Sequence, residues 1–130
     1  MPPLTLPLAA LCIGLVAILP ASAQSLSPMT NDGVTPSATK GFRLNVGNPY
    51  DRRMTFVAVP MQPDYQTPAA GAQVRPARIT LAPGHARPVV FLFDIDPAAK
   101  ERTIALCIMP EAIDGPILPR VCGRYTGRMR

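Results

Sequence analysis

Cysteine, arginine and aspartate carry most of the side-chain chemistry open to this chain. Cys107 and Cys122 flank the segment Ile108 to Val121, each within a run that alternates as a strand does. The chemistry this spacing offers is one disulfide across a hairpin, which persists only in an oxidising compartment. Ile104, Leu106 and Ile108 share one side of their run and Cys107 takes the other, while Val121 and Tyr125 oppose Cys122. Both sulfurs therefore face away from the core. Pairing them in an antiparallel ladder sets Ala105 opposite Arg124 and Met109 opposite Arg120. Arg120, Arg124, Arg128 and Arg130 share parity with Cys122, forming a stripe of planar donors suited to carboxylates or phosphates. Arg128 and Arg130 are expected to belong to a frayed, solvated end.

Catalysis finds little to work with. Outside the first 23 residues the serines are Ser25, Ser27 and Ser37, all in a polar stretch where no rigid element would hold a nucleophile. The single histidine, His85, follows Pro83-Gly84 in an exposed turn, and no metal-ligand spacing occurs. Asp94 and Asp96 could pair as acid and base or hold Ca²⁺, but Pro97 directly after Asp96 is the signature of a capped turn. No cofactor and no enzymatic activity are expected.

Residues 1–23 read as a secretory signal peptide, with an apolar stretch from Leu8 to Leu19 and a small-residue site at Ala21-Ser22-Ala23. The expected products are export to the periplasm and a mature chain beginning at Gln24. Removal of this segment takes Cys12 with it, leaving Cys107 and Cys122 as the one possible intramolecular pair. Residues 24–40 are polar and read as a flexible leader in which Leu26 to Thr30 is a possible edge strand, and residues 41–130 form the folded domain. The net charge of +5 is carried by 13 bases against 8 acids. In an exported protein this balance disfavours nucleic acid and leaves an anionic envelope component, or simple solubility, as its meaning.

The elements that would position these groups are short strands. Seventeen prolines and nine glycines are spread along the chain, which leaves no room for long amphipathic helices. Strands are expected at Phe42 to Val46, Met54 to Val59, Val74 to Leu81 with a break at Pro76, Val89 to Phe93, Thr103 to Met109 and Arg120 to Tyr125. Asp94 to Lys100 has room for one helical turn. With a strand from the leader this makes an all-β, seven-stranded, immunoglobulin-like β-sandwich.

The order of these signals, from Phe42 to Asn48 through Met54 to Pro60, Val74-Arg75-Pro76 with Ile79, Leu81-Ala82-Pro83-Gly84, Arg87-Pro88-Val89-Val90 and Lys100-Glu101-Arg102-Thr103, resembles the N-terminal immunoglobulin-like domain of periplasmic pilus-assembly chaperones. The likeness spans about residues 25 to 126. It implies a non-enzymatic protein-binding role in the assembly or stabilisation of secreted subunits, with a final strand that completes a subunit by β-strand addition. Ile117, Pro119, Val121 and Tyr125 share the parity of that donor pattern. Pro119 lacks a backbone donor, and alternation alone also reads Val121 and Tyr125 as core. Ile117, Val121, Arg120 and Arg124 are the candidate partner-binding residues. Three departures stand out: no second domain is expected, residues 24–40 contain no arginine to anchor a subunit, and the charged turn is reduced to Lys100-Glu101-Arg102. The alternative function is an envelope-associated accessory protein that binds anionic polymer or lipid through its arginines.

Overall fold

A computed structural model describes residues 2–4, 14, 23–112, 115–116 and 118–130. Among them are nine strands: β1 (Ser25–Ser27), β2 (Thr30–Thr35), β3 (Thr39–Gly47), β4 (Met54–Met61), β5 (Ala72–Arg75), β6 (Arg78–Leu81), β7 (Ala86–Asp94), β8 (Glu101–Pro110) and β9 (Val121–Met129). They form a sheet in the order β1-β3-β7-β5 and a second in the order β2-β9-β8-β4-β6. All pairings between these strands are antiparallel except that of β2 with β9. This is the all-β, immunoglobulin-like sandwich expected from the alternation, with more strands than seven.

The additional strands arise where side chains carry little signal. Residues 25–35, expected as a leader with one possible edge strand, supply two strands that serve different sheets. β1 pairs with β3, and after Pro28-Met29 the chain crosses to pair β2 with β9. β2 reads Thr-Asn-Asp-Gly-Val-Thr and buries only Thr35. Main-chain hydrogen bonds hold it at the sheet edge, and those leave no pattern in the sequence. The interrupted run Val74 to Leu81 likewise becomes two strands in opposite sheets, β5 against β7 and β6 against β4. Pro76 cannot donate to a ladder, so the crossover falls there, and the Ala77 carbonyl next to it accepts the Ala58 N–H at 2.8 Å.

The core follows from period-two alternation. Phe42, Leu44 and Val46 of β3 and Val89, Phe91 and Phe93 of β7 face Phe56, Ile79, Ile104, Leu106, Ile108 and Tyr125 of the other sheet. Each such burial stabilises by roughly 1.5–3 kcal/mol. Tyr125 sits at the centre, with ring centroids 5.6 Å from Phe42 and 5.7 Å from Phe91. The expected turn after β7 forms as well: Ala99 and Lys100 donate to the Asp96 carbonyl, and the Asp96 carboxylate accepts the Ala98 N–H at 2.9 Å. Asp96 is thus a cap rather than half of a carboxylate pair.

The expected signal peptide lies almost wholly outside the described residues. Among those described, no helix is long and apolar enough to cross a membrane.

Candidate functional site

The disulfide between Cys107 and Cys122 is formed, and their Cα atoms are 4.0 Å apart. The β8-β9 ladder runs from Glu101↔Arg128 to Ile108↔Val121 with Cys107↔Cys122 and Ala105↔Arg124 in register. The expected pairing of Met109 with Arg120 lies one step beyond the end of that ladder. Both sulfurs face away from the sandwich interior, yet Cys107 is fully buried. It belongs to a second cluster with Met61 and Ala105, against which Val59, Tyr65, Met109 and Cys122 pack while staying partly exposed. Tyr65 is held there by the loop after β4, where the Asp64 carboxylate accepts the Gln66 and Thr67 N–H groups and the Thr67 hydroxyl. Those hydrogen bonds lower the Asp64 carboxyl below its ordinary value.

The separation of the two cysteines also fixes where the backbone of β9 points. In an antiparallel ladder, residues whose Cα atoms approach to about 4.5 Å are the pairs that exchange no main-chain hydrogen bonds. The N–H and C=O of Cys122 therefore turn away from β8, towards the outer edge of β9. Two residues on, the same orientation lets the Arg124 N–H donate to the Met29 carbonyl at 2.7 Å. From Arg124 onward β2 covers this edge through Met129. Before Arg124 no strand does: β2 begins at Thr30↔Arg124, and among the described residues nothing pairs with the outward backbone of Cys122. Among the described residues the N-terminal part of β9 is thus a short edge that no strand covers.

Its neighbours hold it in place. Gln24, almost fully buried, donates through Nε2 to the carbonyls of Ile108 and Pro119, each at 2.8 Å. The Tyr125 hydroxyl donates to the Pro28 carbonyl at 2.6 Å. Gly123 lies where these chains converge, since a Cβ there would meet the Tyr125 phenol and the Met29 carbonyl. Burial raises the Tyr125 phenol above its ordinary value.

The candidate residues divide accordingly. Val121 is half-buried and packs on the main core, and Tyr125 is wholly core. The apolar donor parity is therefore spent largely on the interior. Ile117 lies outside the described residues. Arg120 and Arg124 are exposed, and neither guanidinium has a hydrogen bond or ion pair among the described residues. Arg124 and Asn31, Asp32, Thr30, Thr103 and Thr126 line a shallow polar depression of about 480 Å³. Arg128 and Arg130 do not form a frayed end, because β9 continues to Met129 and the Arg130 N–H donates to the Thr35 carbonyl. Arg128 sits 3.4 Å from Asp32 and 3.5 Å from Glu101, so the stripe is not a uniform row of free cations.

Two residues escaped the sequence reading. Leu118 is 45% exposed immediately before the open edge, and it was hidden because it shares the parity of the arginine stripe and not that of the apolar donor pattern. Arg102, part of the reduced charged turn, donates to the carbonyls of Ala70, Gly71 and Asp94 and ties the loop before β5 to the end of β7. Three donors in one rigid fork suit such a set of carbonyls, but nothing local announces them. His85 contributes its carbonyl to the buried Asn48 N–H, and Asp94 accepts from Thr39. Among the described residues no three His, Cys, Asp or Glu side chains gather as a metal site.

The strand order, the chain that switches sheets between β1 and β2, and the final strand flanked by β2 decide the architecture when set beside solved structures. The E. coli chaperone DraB superposes with a TM-score of 0.67 at 17% identity, over 82% of this chain and 55% of that one. The fold is that of a PapD-like domain. The complex of Salmonella enterica SafA pilin with the SafB chaperone matches with a TM-score of 0.66 at 16% identity, covering 85% of this chain and 56% of its counterpart. A PapD-like domain of human CEP192 matches with a TM-score of 0.60 at 11% identity, over 87% of this chain and 92% of that one. This chain thus spans a little over half the length of the bacterial chaperone structures it matches. The sequence matches no protein-family model and no curated protein.

Proposed function

We propose that this PapD-like protein is an exported, non-enzymatic binding protein that takes up a secreted subunit by β-strand addition at the open part of β9. The observation that carries the reading is the outward-turned backbone of Cys122 at an edge that β2 leaves uncovered. An unpaired edge is a template for another chain, and proteins that do not use such edges normally blunt them. Here the disulfide on one side and Gln24 and Tyr125 on the other hold it in an ordered, receptive form. Preorganisation of this kind reduces the entropy lost on binding. The likeness to DraB and to the SafA–SafB complex supports a chaperone-like role, and the disulfide agrees with an oxidising compartment such as the periplasm.

The test is co-expression with secreted subunits encoded beside its gene, followed by purification of the complex. Val121→Arg places a charge at the edge, and Leu118→Asp does so at an exposed position that the fold does not need. Both are expected to lower complex recovery at least tenfold, with Leu118→Asp leaving the thermal unfolding curve unchanged. Full recovery with Leu118→Asp and with a folded Val121→Arg would remove the edge from consideration.

A further inference from the structure

The outer face of the five-stranded sheet carries a pattern that ends at the same edge. Strand pairing sets side chains in rows: Val59 is opposite Cys107, and Cys107 is opposite Cys122. One apolar row thus crosses β4, β8 and β9 and stops where β9 is uncovered. The row on one side runs Met61, Ala105, Arg124 and Thr30, complete with β2 in place. On the other side Val57 is opposite Met109. Val59, Tyr65, Met109 and Cys122 are all only partly buried, so the middle row lacks its last member. Arg120 and Arg124 flank Cys122 at two-residue spacing, exposed and without ionic partners among the described residues. Arg128, further along, already has Asp32 and Glu101.

We propose that this face selects the incoming strand, and that the partner segment has the outward pattern acidic, any, apolar, with the acidic residue beside Arg120 and the apolar one beside Cys122. The inference rests on the strand-addition reading and adds a specificity to it. A residue added beside Cys122 projects its side chain next to the disulfide at the usual cross-strand spacing. There an apolar group completes the row against the sulfurs and the Met109 thioether, a soft surface that adapts to different shapes. A charged group at that place would lose water without gaining a partner. The partner position two residues away comes within reach of Arg120, whose forked donors match a carboxylate, and a basic residue there would be repelled; on the other side the place beside Arg124 is already filled by Thr30 of β2. The partner is thus an extended acidic and apolar segment of a secreted protein.

Three synthetic peptides with threonine at the remaining positions test this: the outward residues are aspartate–leucine, lysine–leucine or aspartate–serine. Binding to the disulfide-bonded protein is read by fluorescence anisotropy at low salt. The first peptide is expected to bind about tenfold more tightly than the second, with the preference abolished in the double variant Arg120→Gln, Arg124→Gln. Met109→Ser is expected to weaken the first peptide and leave the third unchanged. Equal binding of the acidic and basic peptides, a preference that survives the double variant, or no binding of the first peptide overturns the inference. In the co-expressed complex, dependence on Leu118 and Val121 with indifference to the double variant leaves strand addition standing and removes this selectivity. Indifference to all four residues removes both.

Discussion

Tyr125 shows how one side chain can be withdrawn from the surface by the fold. Its parity fitted both a donor residue and a core residue, with alternation favouring the core, and the interior takes it: the ring is fully buried among Phe42 and Phe91, and the phenol donates to the Pro28 carbonyl. Removing the hydroxyl in Tyr125→Phe leaves that carbonyl without its donor and is expected to cost about 1–2 kcal/mol in a denaturant titration. The phenol also sets an alkaline limit. Its value in the folded state is raised above 10.0 by burial, so the unfolded chain loses this proton first. The stabilisation is whole below the unfolded value and falls as pH climbs from there towards the folded one. Thermal midpoints measured across the alkaline range should fall more steeply in the native protein than in Tyr125→Phe. Asp64 works in the opposite sense: a carboxyl lowered by its loop hydrogen bonds supports that loop above its ordinary range and releases it as pH falls.

At the scale of the strand, β9 is held from both sides. The disulfide ties it to β8 with a sequence separation of 15, which in the chain-entropy treatment is worth about 3 kcal/mol. The double variant Cys107→Ser, Cys122→Ser should lose a stability of that order in urea titrations, and reduction of the native protein should shift the midpoint in the same direction. β2 ties β9 from the other side, and Gly123 marks where the crossing chain passes closest. A Cβ there would stand 2.8 Å from the Met29 carbonyl, and backbone cannot rotate aside as a side chain can. Gly123→Val is expected to destabilise by about 1–3 kcal/mol and to raise the amide exchange of β2 before that of β8. The sequence marked Gly123 only as a gap in an apolar alternation. Its reason is a strand from the other end of the chain.

For the molecule as a whole, a similar sandwich occurs in the E. coli chaperone DraB and in a domain of human CEP192. Fold alone therefore does not name the partner, and function has to be argued from the open edge and the groups around it. Export belongs to this scale too. Expression of the full chain in a Gram-negative host should yield a periplasmic form whose N-terminal sequence begins at Gln24, with Cys107 and Cys122 inert to alkylation until reduced. Recovery of an intact chain from the cytoplasm with both thiols free would count against export and against the reading that depends on it. A mature Gln24 would set the new terminus directly beside the edge, since its side chain holds Ile108 and Pro119.

Alternation determined the all-β class and the inward faces of β3 and β8, and with the cysteine pair the register of Cys107 with Cys122, because burial of one strand face writes a period of two into the residue types; β7, apolar on both faces, carried no such mark. The turn at Asp96 was legible for a similar reason, a local hydrogen bond with a local signature. Tertiary structure alone decided that residues 25–35 split between two sheets, that Arg128 is paired while Arg120 and Arg124 are not, and that β9 is covered from Arg124 onward and open before it. Those outcomes rest on main-chain bonds and charge contacts between segments about 95 residues apart, such as the Arg124 N–H with the Met29 carbonyl and Arg128 with Asp32. Backbone groups are the same in every residue, so the edge on which the proposed function depends is written in the arrangement of the strands and not in any one of them.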